Sequence, residues 1–235
     1  MIYYTGDIHG EKIWIVHFSK RMNLTDEDVV VILGDVGANY YETERDHEVK
    51  RAFSKLKPTI FCIHGNHEIR PANIPTYKTK EWNGGLVWYE EQYPNILFAK
   101  DGEIYNLDGM DHLVIGGAYS VDKHYRIMRH YGWWLDEQPS EEIKAYVEQQ
   151  LAGKHIDVIL SHTCPFKYEP RETFLPTIDQ SKSLSPRRML VNYSQKMLAN
   201  PKSNCWYPFR ILLHSILTSV IFWTLSKTPR IAEPI

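Results

Sequence analysis

IYYTGDIHG, residues 2–10, is a four-residue apolar run that breaks at once into a glycine-flanked polar motif. The run has the length and β-branched or aromatic character of a buried strand, and the glycines mark the turn that ends it. In extended chain successive side chains alternate faces, so Asp7 and His9, two apart, project to the same side as a chelating pair. The same construction recurs along the chain. VVVIL (29–33) is followed by Gly34-Asp35-Val36-Gly37, TIFCI (59–63) by His64-Gly65-Asn66-His67-Glu68, and DVILS (157–161) by His162-Thr163, while HLVIGGA (112–118) is a fifth apolar run.

Between the runs lie helical candidates at 11–22, at 42–57, where Pro58 stops it, and at about 141–151. The last has Ser140 as N-cap, acids in its first turn and Gly153 past its end. Strands alternating with helices predict an α/β layered domain. Residues 70–110, rich in Pro, Gly, Asn and Trp, read as loops with at most a short strand or hairpin. In open α/β sheets ligands gather outside the carboxyl ends of strands, so four runs each delivering Asp, His or Asn at that edge predict one convergent site. Two carboxylates, an amide oxygen and imidazoles without a thiolate suit Mn, Fe or Zn ions rather than a structural thiolate zinc site. Taken singly, each motif is better explained by an ordinary turn or a solvated or core histidine; the ordered set carries the argument.

The whole chain sets the bounds. Its 235 residues, 43% hydrophobic and 24% charged, can bury a substantial core. Three cysteines without a CxxC pair indicate neither a disulfide framework nor a cysteine metal site, and with no signal-peptide pattern at the N-terminus the expected location is cytoplasmic. Cys164, near His162, reads as incidental. Trp82, Trp88, Trp133 and Trp134 are expected to pack beneath their own loops, with a substrate wall or partner surface as the alternative. The net charge of −2 conceals an asymmetry: up to Ser181 there are 19 basic and 28 acidic residues, and from Lys182 onward 8 basic and one acidic, Glu233. A boundary is placed there, between a patterned body at 1–181 and a basic tail at 182–235.

The ordered set GDIHG, GDVG, GNHE and SHT resembles the calcineurin-like metallophosphoesterase superfamily over about residues 1–181, and GNHEIRP and GGAYSVDKHYR are similar to those of an uncharacterised bacterial and phage subgroup. The resemblance implies a β-sandwich flanked by helices (αββα) with two divalent metal ions at the strand ends. Carried over by position, Asp7 and His9 bind the first metal, Asp35 bridges both, and Asn66 and His162 bind the second. His67 serves as general acid, and Arg70 as a phosphate contact, unless it is only a surface arginine after a turn. Two cations roughly 3.5–4 Å apart supply a hydroxide near neutral pH and clamp the phosphoryl oxygens, and phosphoryl transfer asks mainly for such positioning and charge stabilisation. The implied function is hydrolysis of a phosphate mono- or diester in a phosphorylated small molecule, nucleotide or phosphoprotein.

One family motif is missing. The closing Gly-His-x-His strand, whose imidazoles complete the metal shells, has no counterpart; after His162 there is only His214, in RILLHSILTSV (210–220). Impaired activity is therefore expected, and the alternative is a degenerate member that binds metal or phosphate without turnover. Motif, charge sign and pattern all change near residue 182, which reads as a frame-shifted or replaced C-terminal part. The tail's charge-free stretch, Ile211 to Ser226, has 16 residues, short for a membrane span of about 20. Its basic residues beside Trp206, Tyr207 and Phe209 form no recognised nucleic-acid module, so neither membrane nor nucleic acid is the expected partner. Packing of 206–225 on the body, as strands covering a sheet edge, is the leading reading of the tail. The oligomeric state is open.

Overall fold

The computed structural model describes residues 1–163 together with Trp223 and Thr224. In chain order the elements are β1 (Ile2–Thr5), α1 (Lys12–Arg21), β2 (Val29–Ile32), α2 (Glu44–Ser54), β3 (Thr59–Cys62), a 3-10 turn (Pro71–Asn73), β4 (Lys78–Trp82), β5 (Gly85–Tyr89), β6 (Ile96–Ala99), β7 (Ile104–Leu107), β8 (Met110–Ile115), α3 (Lys123–Met128), α4 (Glu141–Leu151), β9 (Val158–Ser161) and β10 (Trp223–Thr224). The five apolar runs are β1, β2, β3, β8 and β9, and the three expected helices are α1, α2 and α4. Ser140 caps α4, its side chain accepting from the Ile143 amide at 3.3 Å.

Two sheets form. One has the strand order β10-β1-β2-β3-β6-β5-β4, with β1, β2, β3 and β6 parallel; the other is β7-β8-β9. Side-chain alternation assigns each strand two faces. Ile2, Tyr4, Val29, Val31, Phe61, Leu97, Tyr105, Val114 and Leu160 fill the space between the sheets, whereas Tyr3, Val30, Ile32, Ile60 and Phe98 pack outward with Ile15 and Phe18 of α1 and Val49 and Phe53 of α2. On the far side Leu113, Ile115 and Ile159 pack with Val147 of α4. The result is a helix–sheet–sheet–helix sandwich, the αββα class that the family resemblance implies, and it explains why β1 to β3 are apolar on both faces.

Residues 70–110 depart from the loop reading, because they build β4, β5, β6 and β7. The overlooked signals were two-residue hairpins. Asn83-Gly84 joins β4 to β5 and Asp108-Gly109 joins β7 to β8, all four residues with positive φ, the backbone that a type I′ turn demands. Trp82 packs with Phe61 and Tyr105, and Trp88 against the helix-side core, so both are structural.

At the other edge of the large sheet, Trp223–Thr224 pairs antiparallel with β1, Tyr3 opposite Thr224 and Tyr4 opposite Trp223. His214, Cys164, Cys205 and the remainder of the tail lie outside the described residues. Among the described residues no helix is long and apolar enough to cross a membrane.

Candidate metal centre

The parallel pairing of β1, β2 and β3 puts their carboxyl ends side by side, and β9 of the second sheet ends beside them. Each then turns sharply. The His9 amide donates to the Asp35 carbonyl at 2.8 Å and the Gly10 amide to that of Val36 at 3.0 Å, which fastens the first loop to the second. His9 and Asp35 themselves adopt left-handed backbone, φ +44° and +46°, a strained state for non-glycine residues of the kind that gathers at functional sites. Two glycines make room for the convergence. A Cβ on Gly65 would stand 2.0 Å from Asp35 Oδ1, and one on Gly34 would stand 2.1 Å from His162 Nδ1.

Six of the seven residues singled out from the sequence meet here: Asp7, His9, Asp35, Asn66, His67 and His162. Asp35 is central. Its Oδ1 accepts from the His67 amide at 2.8 Å, while Oδ2 lies 3.5 Å from His162 Nε2 and 3.9 Å from His9 Nε2. His9 Nε2 is also 3.0 Å from Asp7 Oδ2, and Asn66 Oδ1 is 2.9 Å from His162 Nε2. Ligand atoms of His9, Asp35 and His67 all fall within 4.8 Å of one another.

The electrostatics describe a place that calls for positive charge. His162 is buried, which disfavours its charged form, but the Asp35 carboxylate and hydrogen bonds to Asp35 and the Leu33 carbonyl outweigh that and push its pKa up to about 9. Both ring nitrogens face oxygen acceptors, Nδ1 the Leu33 carbonyl at 2.7 Å and Nε2 the Asn66 and Asp35 oxygens. The raised pKa favours a protonated ring among these lone pairs, a charge that a bound cation would supply in its place. The Leu33 bond also fixes the tautomer, leaving Nε2 as the ligating atom once the ring is neutral. Burial opposes ionisation of Asp35 too, yet His162 and His67 hold its carboxyl well below the usual range. His9 is raised, chiefly by its bond to Asp7. In contrast, burial lowers His67. Burial and the Asp35 charge push wholly buried Glu68 up to about 8; its Oε1 accepts from the Gly65 amide at 2.8 Å and steadies the loop that carries Asn66 and His67. With carboxylate, amide and imidazole donors converging, the residues fit a divalent metal.

Arg70 is not part of this group. Its Nη1 donates to Asp101 Oδ2 at 2.5 Å and its Nε to the Asp136 carbonyl at 2.7 Å, so two of its three nitrogens are engaged by protein groups away from the cluster, while Nη2 is buried without a hydrogen-bond partner among the described residues. Arg126 reaches Asn66 instead. Its Nη1 contacts the Asn66 carbonyl at 3.4 Å and Ser120 Oγ at 2.9 Å. Neither Ser120 nor Arg126 was singled out as a site residue, although both lie in the GGAYSVDKHYR stretch. A cavity of about 390 Å³ opens beside His9 and His67 and is walled by Lys12, Tyr40, Tyr41 and Arg45. Trp134 meets Tyr40 edge to face, and Trp133 donates to Glu137 at 2.8 Å, so these two tryptophans support the rim of the site.

A stretch of 116 residues is 29% identical to the uncharacterized protein L509 of Acanthamoeba polyphaga mimivirus, covering 45% of this chain and 39% of that protein. The chain therefore spans about two-fifths of the length of this curated relative. Among solved structures, the protein of unknown function AQ665 from Aquifex aeolicus aligns with a TM-score of 0.37 and 14% identity over 68% of this chain and 76% of that one. Residues 1–181, which include all six converging side chains, match the calcineurin-like phosphoesterase family. The chain belongs to that family.

Proposed function

We propose that the chain is a phosphoesterase that hydrolyses a phosphate mono- or diester at a dinuclear metal site formed by Asp7, His9, Asp35, Asn66 and His162. The observation that carries this reading is the position of Asp35 Oδ2, which faces the Nε2 atoms of both His9 and His162. Asp7 lies 3.0 Å from His9 and Asn66 2.9 Å from His162, so one carboxylate adjoins two pairs of donor groups. When bound, the cations supply Lewis-acid charge towards the phosphoryl oxygens and lower the pKa of water. Asp35 and Asp7 offset that charge, while the neutral Asn66 leaves the site attractive to phosphate. His67, its backbone tied to Asp35 Oδ1, presents its ring beside the cavity as the donor that protonates the leaving oxygen. The organic part of the ester lies in the cavity. Its volume of about 390 Å³ is in the range of small-molecule sites, roughly 300–1,000 Å³, which favours a phosphorylated small molecule or nucleotide as substrate.

The absence of a Gly-His-x-His motif from the sequence supports a second reading, a member that retains metal or phosphate without turnover. One experiment separates the two. The purified full chain is assayed for Mn, Fe and Zn by elemental analysis and for hydrolysis of a nitrophenyl phosphate and its diester in Mn²⁺. Bound metal with turnover that Asp35→Asn abolishes supports the enzyme; bound metal without turnover leaves only the second reading, and absence of metal rejects the site.

A further inference from the structure

Arg126 is 2% exposed, yet among the described residues no carboxylate pairs with it and its Nε has no hydrogen-bond partner. Burying a guanidinium this way is costly, and stability alone gives no reason for it. Its Nη1 bonds run towards Asn66. Nη1 donates to Ser120 Oγ at 2.9 Å and approaches the Asn66 carbonyl at 3.4 Å, while Nη2 donates to the Gly132 carbonyl. Ser120 Oγ in turn accepts from Asn66 Nδ2 at 2.8 Å. Ser120 cannot drift, because its amide donates to Glu137 Oε1 at 3.1 Å and its side chain is buried. The rings of Tyr40 and Trp134 lie 5.9 and 5.8 Å from the guanidinium carbon and confine it further.

We infer that Arg126 and Ser120 are positioning residues that hold the Asn66 carboxamide by its nitrogen end, so that Oδ1 is presented to the cation beside His162. This rests on the reading of Asn66 as a metal ligand. An amide on a free rotor has two faces of opposite polarity and can turn its NH₂ group to a cation; the Arg126–Ser120 pair removes that freedom. The segment 120–132 thereby completes the metal centre from outside, although it supplies no ligand.

The test is a Mn²⁺ titration of the full chain, with free Mn²⁺ followed by electron paramagnetic resonance and folding followed by circular dichroism. Ser120→Ala keeps the fold and is expected to weaken Mn²⁺ binding roughly 10- to 100-fold, the usual cost of removing such a partner. Arg126→Lys, which retains charge but not the fork, should do the same. Asn66→Ala should weaken binding at least as much, and the double variant Asn66→Ala/Ser120→Ala should bind no worse than Asn66→Ala alone, since Ser120 acts only through Asn66. Wild-type affinity in Ser120→Ala, or additive losses in the double variant, overturns the inference while leaving the metal site standing. Absence of Mn²⁺ binding by the unmodified chain overturns both.

Discussion

His162 and His67 stand next to the same carboxylate and are tuned in opposite directions. His162 is enclosed and bonded at both nitrogens, so Asp35 draws its pKa upward despite burial; at His67 burial, aided by the Arg126 charge, outweighs the pull of Asp35 and Asp122, and its pKa falls. A ligand needs a fixed, directed lone pair, and a proton donor needs access to the substrate. The roles proposed for the two rest on that difference in enclosure and access, whereas the lowered pKa of His67 by itself favours its neutral form. A general acid matters most where the leaving oxygen is strongly basic. His67→Ala should therefore slow hydrolysis of an alkyl phosphate by about 10²- to 10⁴-fold, and that of a nitrophenyl phosphate much less, with Mn²⁺ stoichiometry unchanged. Equal losses on both esters in steady-state kinetics would show that His67 positions the phosphoryl group instead. Asp7, His9, Asp35, Asn66, His67 and His162 were legible in the sequence because each follows directly on a strand, and the strand ends are brought together by the fold itself. Arg126 and Ser120 were not: their partner Asn66 lies 60 and 54 residues away, and no local pattern announces a contact across that separation.

Among the elements, α2 shows how the helical layer is tied to the sheet. Lys50 points inward, where its Nζ meets Glu90 Oε2 at 2.6 Å, and Glu90 Oε1 accepts from Thr76 Oγ1 at 2.6 Å. Both charged residues are buried, 4% and 7% exposed, so each is stabilised mainly by the other. Lys50→Ala should destabilise the protein by about 3–5 kcal/mol, because it leaves a buried carboxylate unpaired, whereas Lys50→Met with Glu90→Leu should recover most of that loss. Urea unfolding of the two variants measures the difference; equal losses would mean that the pair's geometry matters more than the uncompensated charge. The elements themselves were readable to different depths. Parallel strands covered on both faces read as unbroken apolar runs, so β1, β2, β3 and β9 stood out. The exposed hairpin strand KTKEW reads as polar, and only its Asn83-Gly84 turn betrays it.

For the molecule as a whole, the acidic balance of residues 1–181 and the oxygen-rich sheet edge should make cation binding, where it occurs, a stabilising event. A ligand that binds only the folded chain contributes about 2.7 kcal/mol at a hundred times its dissociation constant. For a chain of this size that corresponds to a rise in melting temperature of roughly 5–11 °C per site. Chelation should reverse the rise, and Asp35→Asn should abolish it. The slope of the effect reads out the stoichiometry: above saturation each tenfold increase in free Mn²⁺ adds about 1.4 kcal/mol for every bound ion. Two ions sharing Asp35 predict about twice that slope in calorimetric melts at graded Mn²⁺. A single-ion slope would mean that Asp35 serves one cation.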